Sequence, residues 1–552
     1  MPISIIDNLG TILSGLKTSQ QLLNTATRNI GNAQTPNYVT ERQHSVVNSL
    51  GTGGSAPGAI QRIVDESLLQ QQRQTTAELN FNQSRRDALA KISALSGDPS
   101  QQTNLAAKVT ALSNAFQALA GNPTSPGLTD DVVNKAQDLV DELTRQTSEV
   151  LKLQKDALLG MKEQMPKVNL DLSTIADLNA KINTAIAAGG DPNPLKDQRD
   201  AALAELSTRL DIRVFYDTNG IANVYSADYK PLATQYAEVL TVDPVSGNLT
   251  TGRDTITTPG GLVGGLQKTL LSDTVAYLQQ LDGFARALQS SLSNLSSPIK
   301  ATVAAGAVAA GGTYTVTVPN SALLQVGQQV TDANFASHAV ATPPGATITA
   351  INTATGVVTI GGLNAGAAIN ASTSLHVSTS IPLFNTPPAA TGNPPYYSGA
   401  ITLNLALVTS PHLNAILRMG NTIPALTAPP AGWQATDALG ASGAARQLVS
   451  GTTSFNHLAG FTTPVIGQYS NFQDAANAMA VNAGQNITNT DNNLTALKTY
   501  NTQIGQSIGN VSGVNIDVEM SNLVVLQNLY SSNARVMSVS QTMLDALMAI
   551  AR

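Results

Sequence analysis

The chain has 552 residues, of which 42% are hydrophobic, enough for several packed domains at roughly 100–200 residues each. Charged residues reach only 12%, against about 25% in an average soluble protein, and the formal net charge is −6. These values exclude a polybasic nucleic-acid surface and an acidic disordered tail, and the absence of cysteine excludes disulfides, thiolate catalysis and cysteine-based metal sites. A chain so poor in charge must wet itself with Asn, Gln, Ser and Thr, which suits a surface that becomes interface, where an unpaired charge is costly to bury.

The N-terminus, Met1-Pro2-Ile3-Ser4-Ile5-Ile6-Asp7, has no basic leader, since the first lysine is Lys17. Its apolar residues are spaced, so it does not read as a secretory signal peptide. No run approaches the roughly 18 apolar residues that span a bilayer. The expectation is a cytosolic protein, or one exported without a cleaved signal.

In chain order, Ile5, Leu9, Ile12, Leu16, Ser19, Leu23, Ala26 and Ile30 step by four and three, which predicts an amphipathic helix. Gly31, Asn32 and Pro36 end it. Leu68 to Leu95 and Leu105 to Leu119 predict two further helices. Thr129 reads as the N-cap of a fourth, with Asp130 and Asp131 in its first turn, and that helix is expected to end before Pro166. Leu172–Ile186 and Leu195–Leu210 follow as separate helices, parted by Gly189-Gly190-Asp191-Pro192. The period then changes to two at Ile212, Val214 and Tyr216, and Asn219-Gly220 predicts a hairpin turn. Gly260 to Gly265 reads as a flexible approach to a helix over Leu266–Leu295; it lacks the Lys-Ser/Thr of a phosphate loop.

Residues 299–398 are rich in Ala, Gly, Thr and Val and almost free of charge. Strands are expected at Tyr314–Val318, Ala346–Ile351, Val357–Ile360 and Leu375–Ser378, with Pro387-Pro388 and Pro394-Pro395 marking the exit. Ile401–Leu405 is a further strand, and Tyr469–Ile508 a weaker helical stripe. At the C-terminus Val525, Leu529, Ser532, Val536, Val539, Met543, Ala546 and Ile550 form one stripe, with Leu523, Tyr530, Met537, Leu544 and Met548 forming another beside it.

The expected fold class is multidomain α+β, with terminal helices in a coiled-coil pair, a helical inner domain and outer β-domains in a nested arrangement. The expected parts are 1–40 with 512–552; 41–211 with 262–298 and 468–511; a β-rich part, 212–261 with 399–467; and the inserted β-domain 299–398.

Catalytic chemistry finds no constellation. His44, His338, His376, His412 and His457 show no i, i+4 zinc spacing, and the carboxylates are scattered over predicted helices. No catalytic, cofactor-binding or metal residue is assigned. Within 299–398 the only acidic residue is Asp332, which excludes a two-carboxylate glycosidase confined to that insertion.

Association is better supported. From Met1 to Thr35 the charged side chains are Asp7, Lys17 and Arg28, and from Ser512 to Arg552 they are Asp517, Glu519, Arg535, Asp545 and Arg552. A water-facing helix pair normally carries Glu and Lys at its flanks; here Thr, Asn, Gln and Ser stand there instead. An intramolecular coiled coil remains open, but the pattern favours a polymer. The candidate assembly residues are Ile5, Leu9, Ile12, Leu16, Leu23, Ile30, Leu523, Leu529, Val536, Val539, Met543, Leu547 and Ile550.

The segment from Leu23 to Tyr38, with Asn29, Ile30 and Asn32 followed by Thr35, Pro36 and Tyr38, closely resembles the N-terminal signature of bacterial flagellar axial proteins, the rod, hook and hook-associated proteins. The run Ser512 to Glu519, then Asn522-Leu523, Gln527, Tyr530 and Ala534 to Val539, is similar to their C-terminal signature; Leu526 and Leu529 stand where the family usually has tyrosine and alanine. Asp191 to Asp200, Gly261-Leu262 to Leu295 and Leu403 to Leu417 resemble the family of hook-associated protein 1 within that class.

That resemblance implies a structural subunit, not an enzyme, that self-assembles as a ring or tube at the junction of hook and filament. It implies export in an unfolded state through the flagellar type III channel and a final place outside the cell in the flagellum. The implied partners are copies of itself, the hook protein, a second junction protein on the filament side and a chaperone at the C-terminal helix, with no nucleic acid, no membrane and no cofactor. The rival readings are a hook or distal rod subunit, which would be mostly β outside its ends, and a surface adhesive protein.

Overall fold

The computed structural model describes residues 2–35, 38–47, 54–97, 104–122, 125–218, 220–293, 296–319, 321, 324, 326, 329–330, 332–340, 345–378, 384–385, 397–403 and 471–550. Pro36, the two proline pairs, residues 404–417 and the greater part of 399–467 lie outside the described residues.

The elements begin with α1 (Pro2–Asn32), β1 (Glu41–Val47), β2 (Ser55–Arg62), α2 (Glu66–Ser96), α3 (Leu105–Gly121), α4 (Pro126–Ala187) and α5 (Asn193–Arg209). Six short strands follow: β3 (Ile212–Tyr216), β4 (Ala222–Ser226), β5 (Pro231–Ala233), β6 (Thr241–Val242), β7 (Leu249–Thr250) and β8 (Thr255–Ile256). Then come α6 (Gly261–Lys268), a π-turn over Thr269–Asp273, α7 (Thr274–Ser293), β9 (Ser296–Val303), β10 (Gly306–Ala307), β11 (Tyr314–Thr317) and α8 (Ala333–Ala336). The chain continues through β12 (Thr347–Asn352), β13 (Val357–Gly361), β14 (Ala368–Ile369), β15 (Ser372–Ser378), β16 (Phe384–Asn385), α9 (Tyr397–Ala400) and β17 (Thr402–Leu403) to two long helices, α10 (Phe472–Ser512) and α11 (Ile516–Ile550). The molecule is mostly helical with several small antiparallel sheets, a multidomain α+β chain as expected.

The chain divides into two units. One comprises Met1–Arg86, Ala157–Thr269 and Thr490–Arg552, the other Asp87–Asp156 and Leu270–Asn489. In the second unit, Leu112 and Phe116 of α3, Leu139 and Leu143 of α4 and Phe284 and Leu288 of α7 are fully buried, each helix offering the stripe its apolar spacing predicts. Phe284 meets Phe472 edge-on, with ring centroids 5.5 Å apart. Asn104 caps α3 by accepting from the Ala107 N–H at 3.0 Å. The five-stranded antiparallel sheet β12-β13-β11-β9-β15 turns Val316, Val358, Ile360 and Leu375 inward. The expected hairpin is β12–β13; Asn352 Oδ1 accepts from the N–H groups of Ala354 and Thr355 in its turn, and Gly356 takes φ 72°.

Three expectations are corrected. α4 is one helix of 62 residues with Pro166 inside it, where two helices were expected. Met161, Met165, Val168, Leu172 and Ile175 form a buried stripe that passes Pro166 without a break, while Pro166 itself faces outward. Burying those side chains at about 1.5–3 kcal/mol each outweighs a helix proline's cost of about 3 kcal/mol. The same helix starts at Pro126, so Thr129 is not its cap; proline suits a first turn, where its missing N–H is no loss. Gly261 to Gly265 is not a flexible approach but part of α6: a Cβ at Gly265 would lie 2.5 Å from the Phe81 carbonyl oxygen and 2.8 Å from Ser84 Cβ, so glycine here permits close approach to α2.

The first unit holds the sheet β3-β4-β5, the sheet β6-β7-β8 and the hairpin β1–β2. The β3–β4 turn falls where predicted, with Gly220 at φ 75°. The β1–β2 hairpin was not legible; its alternation is weak and most of β1 is exposed.

Candidate assembly interface

α1 and α11 lie antiparallel. Asn533 Nδ2 approaches Ser19 Oγ at 3.4 Å, and a Cβ at Gly15 would sit 3.4 Å from the same amide. Nearer the end of α1, Leu22, Ala26 and Asn29 line a cavity of about 260 Å³ with Glu519, Asn522 and Leu526 of α11. The inward face of α1 is therefore Ile12, Gly15, Ser19, Leu22, Ala26 and Asn29, stepping by three and four. Small and polar residues occupy its centre. Hydroxyls fold back onto the helix: Ser19 Oγ donates to the Gly15 carbonyl at 2.8 Å, and Thr18 Oγ1 donates to the carbonyls of Ser14 and Ser55, the latter on β2.

α11 turns Leu523, Leu526, Asn533, Met537 and Leu544 toward α1, all half-buried. Those are residues of the second C-terminal stripe and its neighbours. Most of the first stripe points away: Val539 is 59% exposed, and Leu529, Val536 and Met543 are also exposed, while Val525, itself exposed, borders the cavity shared with α1. Of the other candidate assembly residues, Leu9, Ile12, Leu16, Leu23 and Ile30 are half-buried along α1. The side chains of Ile5, Leu547 and Ile550 lie outside the described set.

The motif at the end of α1 acts as a joint. Asn29, only 1% exposed, donates to the Glu41 carbonyl at 2.8 Å and accepts from the Glu41 N–H at 3.0 Å, pairing with β1 as a neighbouring strand would. Tyr38 Oη donates to the same amide oxygen at 2.9 Å, and burial, with the nearby Glu41 carboxylate, pushes its phenol well above the usual range. Asn32 Nδ2 donates to the Arg28 carbonyl, and Asn32 Oδ1 accepts from Thr35 Oγ1. The Thr40 N–H donates to the Ser512 carbonyl at 2.9 Å, tying this joint to the end of α10. Ile30 is half-buried and Thr35 exposed.

A charged collar adjoins the joint. Arg28 bridges Glu41 (3.0 Å) and Asp191 (3.1 Å), and Arg62 bridges Asp197 (2.8 Å) and Asp200 (2.5 Å). Arg199 is buried, donates to Asn179 Oδ1 and the Gly220 carbonyl, and lies 5.0 Å from the centre of the Tyr216 ring. Burial pushes the Asp197 carboxyl up to about 6, against the pull of Arg62. The Asp191–Asp200 run singled out by resemblance therefore supplies the collar's acidic side. Sequence reading missed Asn169 and Asn179. Each repeats the Asn29 device, donating to and accepting from one backbone position, Leu240 and Ala222 respectively. An Asn at a buried helical position is the available signal, since a buried amide must find partners.

Among the described residues no group of His, Asp or Glu is placed to hold a metal ion, and no helix is long and apolar enough to cross a membrane.

Comparison with known proteins bears on this geometry. Residues 89–294 match the family model described as the helical domain of flagellar hook-associated protein FlgK, and residues 508–550 match that of the C-terminal part of flagellar basal body rod proteins. Flagellar hook-associated protein 1 of Salmonella typhimurium is 27% identical over 282 residues, covering 46% of this chain and 50% of its own length. That of Escherichia coli is 26% identical over 277 residues, covering 48% and 49%, and that of Bacillus subtilis 24% over 235 residues, covering 40% and 46%. The chain thus matches about half the length of these relatives. A solved structure, the flagellar hook junction protein FlgK from Burkholderia pseudomallei, shares the fold with a TM-score of 0.51 at 14% identity, over 79% of this chain and 99% of its own. Its helical middle and its C-terminal helix are thus similar to the corresponding parts of flagellar hook-associated and rod proteins.

Proposed function

We propose that this protein is a structural subunit that assembles with copies of itself at the junction of the flagellar hook and filament, and that it performs no catalysis. The observation that carries the reading is the outward face of α11. Val525, Leu529, Val536, Val539 and Met543 are exposed along one line on a helix whose only described basic residue is Arg535. A continuous apolar stripe facing water is a surface awaiting a partner, and the neighbouring Ser, Asn and Gln accept burial through hydrogen bonds.

In this reading the terminal pair of each copy packs against its neighbours in a ring or tube. The helical part links adjacent subunits, the β-rich parts face outward, and the four nested parts expected from the sequence keep those roles. The hook protein on one side, a second junction protein on the filament side and an export chaperone at α11 are the proposed partners. The proposed location is the extracellular flagellum, reached unfolded without a cleaved signal; isolated amphipathic helices are marginal in water, which suits such passage. Support for the junction over a hook or rod subunit comes from the match of 89–294 to a hook-associated helical domain.

Electron micrographs of a strain lacking this protein test the reading: hooks without filaments are expected, and normal filaments would overturn it. Removal of residues 1–35, Leu16→Asp and Leu529→Asp should each leave the inner parts folded yet prevent incorporation into flagella.

A further inference from the structure

The last two turns of α10 carry Gly505 and Gly509 on one face, at a spacing of four, beside a notch of about 240 Å³. Glycine is among the poorest residues for a helix interior, so internal packing would have to call for it. It does not: a Cβ at either position meets nothing within 4 Å among the described residues. The space over this face is open.

Two polar groups lining the same notch have hydrogen-bonding capacity left unused among the described residues. Arg73 of α2 is 5% exposed, makes no hydrogen bond to any described residue, and has its nearest carboxylate oxygen, on Glu66, at 4.0 Å. Asp200 of α5 gives one oxygen to Arg62, and its Oδ1 accepts from no described residue. Hydrogen-bonding capacity left unused at a buried guanidinium and at a buried carboxylate oxygen is costly. Apolar walls come from Val64 and Ile508. The notch thus offers a flat backbone contact, one donor fork and one acceptor. A carboxamide satisfies both polar groups at once, its oxygen accepting from Arg73 and its NH2 donating to Asp200. A free carboxylate would be repelled by Asp200, and an ammonium by Arg73.

We propose that this notch receives a terminal helix of a second copy of this chain, which lays its backbone across Gly505 and Gly509 and inserts an Asn or Gln side chain between Arg73 and Asp200. The occupant follows from two observations. Ser512 and Gly513, at the entry to α11, also line the notch, so it is continuous with the exposed terminal face. The terminal helices themselves carry exposed carboxamides in place of charges, at Gln20, Asn24, Gln527 and Asn528. The proposal rests on the self-assembly reading and adds to it a second contact, made by residues outside the Val525–Met543 stripe.

Incorporation of full-length variants into isolated flagella, relative to the cellular pool, tests it. Gly509→Leu should fall at least tenfold, with helix content and thermal midpoint unchanged or raised. Gly484→Leu, a control on the same helix outside the notch with equally open space, should incorporate within twofold of the parent. If Gly509→Leu incorporates normally while Leu529→Asp does not, the notch proposal fails and the assembly reading stands; if Leu529→Asp also incorporates normally, the assembly reading fails. A second measurement does not depend on that variant's folding. The chain has no cysteine, so chains carrying Gly505→Cys mixed with chains carrying one cysteine at position 20, 24, 527 or 528 can crosslink only between copies. A disulfide dimer in assembled flagella for at least one pair is expected, and its absence for all four overturns the proposal.

Discussion

The terminal helix pair and the charged collar belong to the same unit yet solve opposite problems. In the collar, charges are partly buried and neutralised within the chain: Arg28 with Glu41 and Asp191, Arg62 with Asp197 and Asp200. In the pair, α1 and α11 meet through small and polar residues, while the more apolar face of α11 is left to solvent. The collar's ion pairs close within one copy, whereas the pair leaves an apolar face exposed. A low overall charge content therefore conceals two local compositions, one suited to folding alone and the other to being covered by a neighbour.

The largest effect expected from disturbing this contrast is on the pair. Val536→Asp places a carboxylate where a neighbour would bury it, at a cost of several kcal/mol, so incorporation should fall about a hundredfold or more. The isolated protein should melt within about 0.5 kcal/mol of the parent, because the site is exposed. A comparable loss of stability in the isolated chain would erase the distinction between the two regions.

Asn29→Ala tests the joint that connects them. It removes both bonds to the Glu41 backbone and the partner of Tyr38, leaving buried groups unpaired. A loss of about 3 kcal/mol in denaturant unfolding is expected, with faster hydrogen exchange at Glu41 than in α11.

Asp197→Asn probes the collar through pH. The folded carboxyl titrates at about 6, above its ordinary value near 3.8. Between those values the folded state binds more protons than the unfolded state. The group's stabilising contribution is complete below about pH 4 and is lost as pH rises through 6, a swing on the order of 2–3 kcal/mol. Unfolding titrations at pH 4 and pH 7 should show that swing reduced in the Asn variant. An unchanged pH dependence would mean that Asp197 titrates as an ordinary surface carboxylate.

The smallest effect is expected at Pro166→Ala, on the exposed side of α4. Restoring the N–H on the outer face of α4 should raise the melting midpoint, by about 1 kcal/mol in stability. A decrease would show that the proline is needed for the helix path.

Much of the fold was legible. The helix α1 ends within two residues of Ile30, α3 starts at Leu105, and the β12–β13 and β3–β4 hairpins lie where turn residues placed them. The failures share a cause. Pro166 was read as a stop and Gly264-Gly265 as a loop because local propensity speaks only of the isolated segment, whereas the buried stripe of α4 and the close approach of α2 override it. The motif Asn29–Tyr38 was recognised as a signature, but nothing in its spacing says that Asn29 substitutes for a β-strand partner.

The sequence by itself determined the periodicities, the absence of cysteine and the scarcity of charge at the termini, on which the proposed association role rests; these depend on residue type and order alone. Only the tertiary structure decided which of two parallel stripes on α11 faces its own chain. Both stripes are apolar and spaced alike, and the choice rests on Asn533 meeting Ser19 and Gly15 across the pair. Likewise the sequence shows Arg73, Asp200 and the pair Gly505 and Gly509 as unrelated residues in widely separated segments, and only folding brings them to one notch.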